Sequence, residues 1–408
     1  MPTPITVAKL PLGAFGPVPD DAKTKPHHEK TKSGKFVRFQ NIHASFGDAH
    51  NLSMPKVGLK IFWGQISGKI RYPDVTPPTV DVLPPTFLPD RFASEELRTT
   101  WLGHASHYIE YPSGLRVLLD PVLEERCSPF SFMGPKRFTK QPCAIADLPF
   151  LDAVIISHNH YDHLSHPTVL EIHRRFPNAH FFVPMGVKKW FNSCGIQNVT
   201  ELDWWEDAEL TVNIADASGG KRDSGLDTDT KAIDSITAKI TCLPAQHLSS
   251  RTGWDFCKTL WASWAIKSGS GPADERSVWF GGDTGYRSVP EMPDDEDDYS
   301  DRWAHLPRNP QFKQIGELRG PFDLGLIPIG AYAPRWAFSR MHANPFDAVE
   351  MFADTRCKQA LGIHWGTWTL TTEPVLEPPA KLRDALRRKG VAEEGVFDVC
   401  DIGASRHF

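Results

Sequence analysis

The sequence predicts a layered α/β fold with a functional site where strands end. From about residue 97 onward, short apolar runs typical of strands alternate with segments of helical spacing. Ligand-type residues recur directly after apolar runs, at His158, His247, Asp283 and His364. Because functional groups in layered α/β folds cluster at strand ends, this pattern favours one site at the edge of a sheet.

Strands and helices alternate through the first half of this region. We predict strands at 97–111, with a turn at Gly103, and at 116–123, 152–160 and 180–186. The segment 168–177 has helical spacing and stops at Pro177, and 188–195 reads as a helix that ends at glycine.

The second half repeats the alternation and carries the later ligand-type residues. Further strands are predicted at 239–247, 259–268, 278–286, 323–332 and 359–368. One helix is predicted over 344–356, with Asn344 as its N-cap.

Residues 1–95 read as a proline-rich N-terminal extension, and residues 96–408 as the catalytic domain. The stretch PPTVDVLPPTFLP (77–89) cannot form a helix, because proline lacks the backbone donor and fixes φ. We therefore expect an irregular extension that wraps the core or forms a substrate surface.

Composition indicates an ordinary globular protein. The chain has 408 residues, of which 40% are hydrophobic and 23% charged. The net charge of −5 argues against a general nucleic-acid binder, which needs a basic face. Thirteen tryptophans suit either core and pocket walls or an apolar substrate or lipid interface. Phe62 and Trp63 are candidates for peripheral membrane contact, the alternative being a buried strand.

Cysteine use and the N-terminus favour an intracellular protein. The seven cysteines are scattered and contain no CxxC pair, which indicates reduced thiols. No stretch reaches eighteen apolar residues, and the N-terminus has no apolar secretory region. A cytoplasmic or peripheral membrane location is expected, with a mitochondrial location left open.

A dense group of potential metal ligands follows the third predicted strand. The run HNHYDH contains His158, His160, Asp162 and His163 within six residues. A two-metal site needs about six or seven protein ligands around ions roughly 3.5–4 Å apart. Alternate residues of a turning loop point the same way, so His158 and His160 can reach one ion while Asp162 and His163 reach another.

The remaining ligands are expected from three later strand ends. His247 ends PAQH, Asp283 lies between glycines in FGGDTGY, and His364 lies in LGIHWGTW. Imidazole and carboxylate are ligands of zinc and its neighbours. The sequence therefore predicts a dinuclear metal site.

These motifs resemble the metallo-β-lactamase superfamily and, more closely, its N-acylphosphatidylethanolamine-hydrolysing phospholipase D family. The resemblance covers roughly residues 95–375 and includes TWLGHAS (100–106), LDWWE (202–206) and PIGAYAPRW (328–336). It implies an αβ/βα four-layer sandwich and two Zn²⁺ ions. It assigns one zinc to His158, His160 and His247, the other to Asp162, His163 and His364, and a bridging role to Asp283.

The resemblance also implies a phospholipid substrate and a homodimer. A metal-bridging hydroxide would attack phosphorus and release N-acylethanolamine and phosphatidic acid. Imidazole rather than a carboxylate at His160 favours a redox-silent zinc hydrolase over an oxygen-reducing iron enzyme.

Four further residues are candidate catalytic or substrate-binding groups. By the resemblance, His342 would bind the phosphate or give a proton to the leaving alkoxide, the alternative being a surface histidine. Arg335 is a candidate for phosphate contact or for a structural ion pair. His104 is a candidate support for a metal ligand, and Tyr286 shapes the Asp283 loop or contacts substrate.

Two other functions fit the same residues. The same hydroxide can attack a carbonyl, as in a lactonase or another ester hydrolase. A non-catalytic metal-binding scaffold is the third interpretation.

Overall fold

Two β-sheets pack against each other across the main apolar core. The computed structural model describes residues 5–47, 54–68, 70–214, 234–269, 271, 274–293 and 296–408. The strands are β1 (Ile5–Lys9), β2 (His28–Lys30), β3 (Phe36–Phe39), β4 (Arg98–Gly103), β5 (Ser106–Glu110), β6 (Arg116–Leu119), β7 (Ala153–Ile155), β8 (His180–Pro184), β9 (Val199–Leu202), β10 (Asp207–Asn213), β11 (Ser235–Leu243), β12 (Ser263–Ser268), β13 (Arg276–Phe280), β14 (Phe322–Pro328), β15 (Cys357–Ile363), β16 (Phe397–Asp398) and β17 (Ser405–His407).

Helices cover the outer faces of both sheets. The α-helices of the described residues are α1 (Asp20–Thr24), α2 (Met54–Ile66), α3 (His166–Arg175), α4 (Lys188–Ser193), α5 (Gln311–Leu318), α6 (Arg335–Phe338), α7 (Pro345–Thr355) and α8 (Glu377–Lys389). Apolar side chains of α3 and α4 pack on the seven-stranded sheet, in the order β17-β4-β5-β6-β7-β8-β9. Helices α5, α7 and α8 cover the eight-stranded sheet, in the order β1-β10-β11-β12-β13-β14-β15-β16. The predicted four-layer α/β sandwich is confirmed.

Parallel strands place the ligand-bearing loops at one edge of each sheet. Strands β6, β7 and β8 run parallel, and so do β13, β14 and β15. The strands alternate buried and exposed residues only where one face meets solvent, as in β11 with its pattern eBeBeBBBB. Strands β6 and β7 are buried on both faces, which explains their apolar runs VLL and AVI.

The N-terminal ninety-five residues contain regular elements that the proline-rich composition does not indicate. Strand β1 pairs antiparallel with β10 and forms an edge of the eight-stranded sheet. Strands β2 and β3 form a hairpin, and α2 is a helix of 13 residues. Phe62 and Trp63 therefore lie on a helix with exposed side chains, so the alternative of a buried strand is wrong.

The predicted helix at 344–356 is confirmed as α7. The Asn344 side chain accepts a hydrogen bond of 2.9 Å from the Asp347 backbone N–H, and the Asp347 carboxylate accepts one from the Asn344 N–H. This reciprocal cap satisfies two backbone donors that have no partner within the helix. Arg356 ends the helix with φ of 59°.

All seven cysteines are free thiols. Among the helices of the described residues, none is both long enough and apolar enough to cross a membrane.

Candidate metal centre

The seven predicted metal ligands meet at the ends of four strands. The loop after β7 carries His158, His160, Asp162 and His163, while the other three ligands follow β11, β13 and β15. Their side chains form overlapping groups whose ligand atoms lie within 4.8 Å of one another. Most of these residues are fully buried, so charge within the group is poorly screened by solvent.

The Asp283 carboxylate lies between two groups of histidines. Its Oδ1 is 3.1 Å from His163 Nε2 and 2.9 Å from His364 Nε2. Its Oδ2 is 3.8 Å from His158 Nε2 and 3.6 Å from His247 Nε2. One oxygen therefore faces each group, which is the arrangement of a bridging carboxylate.

Each group has the spacing of a metal coordination sphere. His160 Nδ1 is 2.9 Å from His158 Nε2 and 3.2 Å from His247 Nε2. Asp162 Oδ2 is 3.3 Å from His163 Nε2 and 3.4 Å from His364 Nε2. Nitrogens bound tetrahedrally at about 2.0–2.1 Å from zinc would lie about 3.3 Å apart.

Hydrogen bonds at the outer ring nitrogens leave lone pairs directed inward. His163 Nδ1–H donates to Asp120 Oδ2 (2.6 Å), and His247 Nδ1–H donates to the Met341 carbonyl (3.0 Å). In the neutral tautomers that these bonds select, Nε2 of both rings carries a lone pair. His163 Nε2 thus faces the acceptor Asp283 Oδ1, and neither atom has a hydrogen-bond partner. Either a proton on Nε2 or a metal cation between the two atoms removes this repulsion, so the residues fit a divalent metal that takes the place of the proton.

The pKa shifts show the same demand for positive charge. Burial alone would lower the pKa of His163, but Asp283, Asp162 and Asp120 together raise it well above its usual value. Burial alone would also lower the pKa of His364, but Asp283 and Asp162 outweigh it and raise this pKa to about 9. These carboxylates hold protons on the two rings, and a metal bound there displaces those protons.

Asp120 is a candidate functional residue that the sequence analysis does not identify. It follows β6, and its carboxylate accepts hydrogen bonds from the Ser157 backbone N–H (2.7 Å), the Ser157 hydroxyl and His163 Nδ1. The Ser157 hydroxyl, in turn, lies 2.9 Å from His158 Nδ1. Asp120 therefore orients ligands of both groups. The signal is an aspartate after an apolar strand, the same signal that identifies Asp283.

Arg251 fixes the loop that carries four ligands. Its Nη1 donates to the carbonyls of Asn159 (2.9 Å), directly after His158, and of Leu164 (2.7 Å), directly after His163. Its guanidinium also lies 3.9 Å from the centroid of the Tyr161 ring. One cation thus joins both ends of a short loop.

His104 contacts Asp162, a candidate metal ligand. Its Nε2 is 2.9 Å from Asp162 Oδ2, and its carbonyl accepts from the His364 backbone N–H at 3.0 Å. Both histidines have a left-handed backbone, with φ of 53° and 64°. Such a conformation is costly for a non-glycine residue, so the surrounding contacts must hold both backbones.

His342 lies beside the bridging carboxylate. Its Nδ1 is 3.9 Å from Asp283 Oδ2 and has no hydrogen-bond partner. Its ring stacks with that of His364 at 5.3 Å, and its side chain remains 14% exposed. Burial, opposed by Asp283, lowers the pKa of His342 to about 4. The alternative of a surface histidine at a helix start is wrong.

Two predicted substrate contacts are occupied by structural interactions. Tyr286 is buried, and its hydroxyl donates to Asp354 Oδ2 at 2.9 Å, so the expectation of a substrate contact is corrected. Arg335 forms ion pairs with Asp298 (2.9 Å) and Asp347 (2.8 Å). These contacts support the alternative of a structural ion pair over phosphate contact. Trp204, Trp205 and Trp365 are buried in the main core.

Comparison with known proteins gives a consistent result. Residues 115–365 match a family model described as a β-lactamase superfamily domain. The chain is 38% identical over 321 residues to N-acyl-phosphatidylethanolamine-hydrolyzing phospholipase D 1 of Caenorhabditis elegans. This alignment covers 77% of each protein. It is 32% identical over 284 residues to the mitochondrial N-acyl-phosphatidylethanolamine-hydrolyzing phospholipase D of Saccharomyces cerevisiae, which covers 69% of this chain and 50% of the yeast protein. A solved structure of a metallo hydrolase from Ignicoccus hospitalis aligns with 18% identity and a TM-score of 0.47, and the alignment covers 76% of this chain and 98% of that one.

Proposed function

We propose that this chain is a zinc-dependent phosphodiesterase. The chain belongs to the metallo-β-lactamase superfamily and, within it, to the N-acylphosphatidylethanolamine-hydrolysing phospholipase D family. Family membership makes the chain a metal-dependent hydrolase. The proposed substrate is N-acylphosphatidylethanolamine, and the proposed products are N-acylethanolamine and phosphatidic acid. Water supplies the oxygen that joins phosphorus, the bond from phosphorus to the ethanolamine oxygen breaks, and that oxygen gains a proton.

The position of Asp283 carries the proposal. Its two oxygens face two histidine groups, one containing His158 and His247 and the other containing His163 and His364. Two zinc ions held there would supply a hydroxide near neutral pH and would stabilise charge on the phosphoryl oxygens. The four imidazoles and this carboxylate belong to the zinc donor set, which supports zinc over harder cations.

His342 is the candidate group for the phosphate and the leaving alkoxide. Its unpartnered Nδ1 lies 3.9 Å from Asp283 Oδ2, on the side of the His158 group. A side chain that is partly exposed and adjacent to the bridging carboxylate can reach a substrate bound at the metals. In this proposal His342 hydrogen-bonds a phosphate oxygen or the departing ethanolamine oxygen.

An exposed apolar helix supports a membrane as the source of the substrate. Leu59, Phe62, Trp63 and Ile66 lie on one face of α2 at spacings of three and four residues, and each is between 54% and 60% exposed. Lys60 on the same helix lies 4.3 Å from the ring centroid of Trp336, in the segment that leads to His342. We propose that this face enters the interface of a phospholipid bilayer.

A second exposed apolar group lies near the ligand loop. Phe130, Phe132 and Met133 project from the loop after β6, and Phe132 is 76% exposed. Phe130 lines a cavity of about 530 Å³ together with Tyr161 and Arg251, which belong to or hold the ligand loop. We propose that this loop also contacts lipid and brings the substrate to the metals.

The test combines metal analysis with product detection. The purified protein is assayed for zinc and iron and then incubated with vesicles that contain N-acylphosphatidylethanolamine, and both products are followed by mass spectrometry. We expect two zinc ions per chain and equal amounts of both products. Asp283→Asn should abolish formation of both products, because it removes the bridging charge. Asp323→Asn should retain turnover, because Asp323 lies at the start of β14, at the edge of the sheet opposite the metal centre.

Three outcomes separate the alternatives. Two zinc ions without lipid turnover, but with hydrolysis of lactones or carboxylic esters, would replace the proposal by the ester hydrolase. A protein purified without metal, and inactive after zinc is added, would favour the scaffold. Unchanged turnover in Asp283→Asn would contradict the proposed site. The homodimer stays a prediction, which sedimentation velocity of the same sample tests.

A further inference from the structure

Residues 41–47 of the N-terminal extension pack among the loops of the metal centre. Ser45 is buried and lies in a short 3₁₀ helix. The Asn41 side-chain amide donates to the His247 carbonyl at 2.8 Å, and the Ser288 backbone N–H donates to the Ser45 carbonyl at 2.6 Å. This segment therefore contacts the loops that follow β11 and β13, each of which carries a candidate metal ligand.

The Ser45 hydroxyl fixes a glutamine that joins three loops. Gln246 directly precedes His247 and is buried. Its Oε1 accepts from the Ser45 hydroxyl at 2.5 Å, and its Nε2 donates to the Arg340 carbonyl at 3.0 Å. Its backbone N–H donates to the Thr284 hydroxyl at 2.8 Å. Because an amide group carries its acceptor and its donors on different atoms, the serine hydroxyl selects the orientation in which Nε2 faces Arg340.

The backbone on both sides of His342 is held by these same loops. The Met341 carbonyl accepts from His247 Nδ1–H at 3.0 Å, and the Ala343 N–H donates to the Thr284 carbonyl at 2.8 Å. With the glutamine bond described above, three backbone groups around His342 are tied to the loops that carry metal ligands. The Nδ1 of His342 itself has no hydrogen-bond partner, so the ring is the part of this segment that can meet a substrate.

Close packing leaves this junction little room to rearrange. A Cβ on Gly285 would lie 2.2 Å from the Arg340 carbonyl oxygen, so the two backbones are in direct contact. The Gly285 N–H donates to the Gln246 carbonyl at 2.8 Å. Without the Ser45 hydroxyl, the buried Gln246 Oε1 would lack a donor, and rotation of the amide toward another donor would break its bond to Arg340.

We propose that Ser45 is a positioning residue, which acts through Gln246 to set the place of His342 relative to the metal centre. The proposal rests on the proposed phosphodiesterase function, in which His342 contacts the phosphate or the leaving oxygen. Displacement of a reacting group by about 1 Å can cost about 100-fold in rate. The N-terminal extension then serves the site itself, in addition to wrapping the core.

Kinetics of a double-mutant cycle test the proposal. The metal-loaded proteins receive N-acylphosphatidylethanolamine in detergent micelles, and released N-acylethanolamine is measured by mass spectrometry. We expect Ser45→Ala to lower kcat about 10- to 100-fold and to change KM less than about twofold. In the His342→Ala background the same substitution should have no further effect, because the group that it displaces is absent.

Ser268→Ala is the matched control. This buried serine also donates a hydrogen bond, to the Thr237 carbonyl at 2.7 Å, but at the end of β12 remote from the metal centre. It should retain the wild-type kcat.

Amide hydrogen exchange supplies a measurement that does not depend on activity. Peptides that contain residues 339–343 should exchange faster in Ser45→Ala than in the wild type, with and without metal, because the loops that hold this segment are less firmly joined. Peptides from α8 should exchange equally in both proteins, which separates the effect from a general loss of stability. Ser268→Ala should match the wild type at 339–343.

Gln246→Glu is a second variant, so that a folding defect in Ser45→Ala does not decide the test. A glutamate keeps an acceptor for the Ser45 hydroxyl but has no N–H for the Arg340 carbonyl. It should reproduce the loss of kcat and the faster exchange at 339–343.

The outcomes separate this proposal from the proposed function. Wild-type kcat and exchange in both Ser45→Ala and Gln246→Glu would overturn the proposal. An equal loss of kcat in the His342→Ala background would also overturn it, because Ser45 would then act without His342. Faster exchange at 339–343, in a protein whose wild type releases no N-acylethanolamine, would support the positioning role and refute the proposed function.

Discussion

Replacing Asp120 by asparagine tests whether a residue that touches no metal controls metal binding. The Asp120 carboxylate accepts three hydrogen bonds, from the Ser157 N–H, the Ser157 hydroxyl and His163 Nδ1. An asparagine has one oxygen and one NH₂ group in the same space. If the NH₂ faces the Ser157 N–H, two donors oppose each other. If it faces His163, the ring must move its proton to Nε2, the atom that faces the metal site.

Either orientation should weaken the ion held by His163. Loss of a carboxylate partner of a metal-binding histidine typically lowers metal affinity about 10- to 100-fold, or about 1.4 to 2.7 kcal/mol. The ion at His158 and His247 should be affected less, because Asp120 reaches that group only through the Ser157 hydroxyl. We therefore expect Asp120→Asn to lose one ion to a chelator at a much lower chelator concentration than the wild type.

The assay is competition with a chelator of known affinity, followed by metal counting on the desalted protein. Asp152→Asn is the matched control, since Asp152 is another buried aspartate, paired with Arg91 at the start of β7. It should lower the free energy of unfolding without changing the competition curve. If Asp120→Asn retains both ions at wild-type chelator concentrations, the carboxylate does not set the His163 proton, and the reasoning fails.

Three further predictions concern neighbouring parts of the fold. Arg251→Gln should lower metal affinity and turnover together, because it frees the carbonyls of Asn159 and Leu164, and proteolysis of the ligand loop should speed up. His107 is buried with a pKa of about 3, below its ordinary 6.5, so the unfolded chain binds more protons between these values and stability falls as pH drops through that window. The free energy of unfolding, measured with urea, should fall between pH 7.5 and pH 5.5 in both proteins. The fall should be about 1.4 kcal/mol smaller in His107→Asn than in the wild type, and equal losses would contradict this. Asn344→Ala should cost about 1 kcal/mol in the same assay at pH 7.5 by removing the cap of α7.

The grouping of the seven candidate ligands at one site could be predicted because their pattern is local or repeated. Four of them lie within six residues, and the others each follow an apolar run. The parallel course of β13 and β15 beside β14 then brings Asp283 and His364 to the same edge. The sequence pattern itself, in contrast, can be read without knowing which strands pair.

Asp120 could not be assigned because its role depends on strand pairing. Its strand β6 pairs parallel with β7, which sets Asp120 beside Ser157. An aspartate before a proline also fits an ordinary turn. The same reason explains why β1, β16 and β17 are absent from the prediction: each is a short edge or near-edge strand that forms because a partner strand is present.

Aromatic residues show a different limit of the sequence. By composition, the tryptophans suited either the core or an apolar substrate surface. Trp204 and Trp205 are both buried, and the Trp204 indole donates to the Trp261 carbonyl at 2.8 Å. Phe62 and Trp63 were equally compatible with a buried strand, yet they are exposed on a helix. Residue type sets how much apolar surface a side chain carries, while only packing decides which surface stays open to solvent.

Arg335 shows how a residue can serve a site without touching its substrate. Its ion pair with Asp347 joins α6 to the first turn of α7, and Asp347 also caps that helix through Asn344. The segment between the two helices carries His342 and Met341. The Met341 carbonyl accepts a hydrogen bond from Nδ1–H of His247, a candidate metal ligand. Charged hydrogen bonds fix both ends of this segment. The Nδ1–H tautomer of His247 and the position of the His342 ring therefore depend on the same segment. The Arg335 guanidinium, a candidate for phosphate contact or for a structural ion pair, thus supports the segment that presents His342.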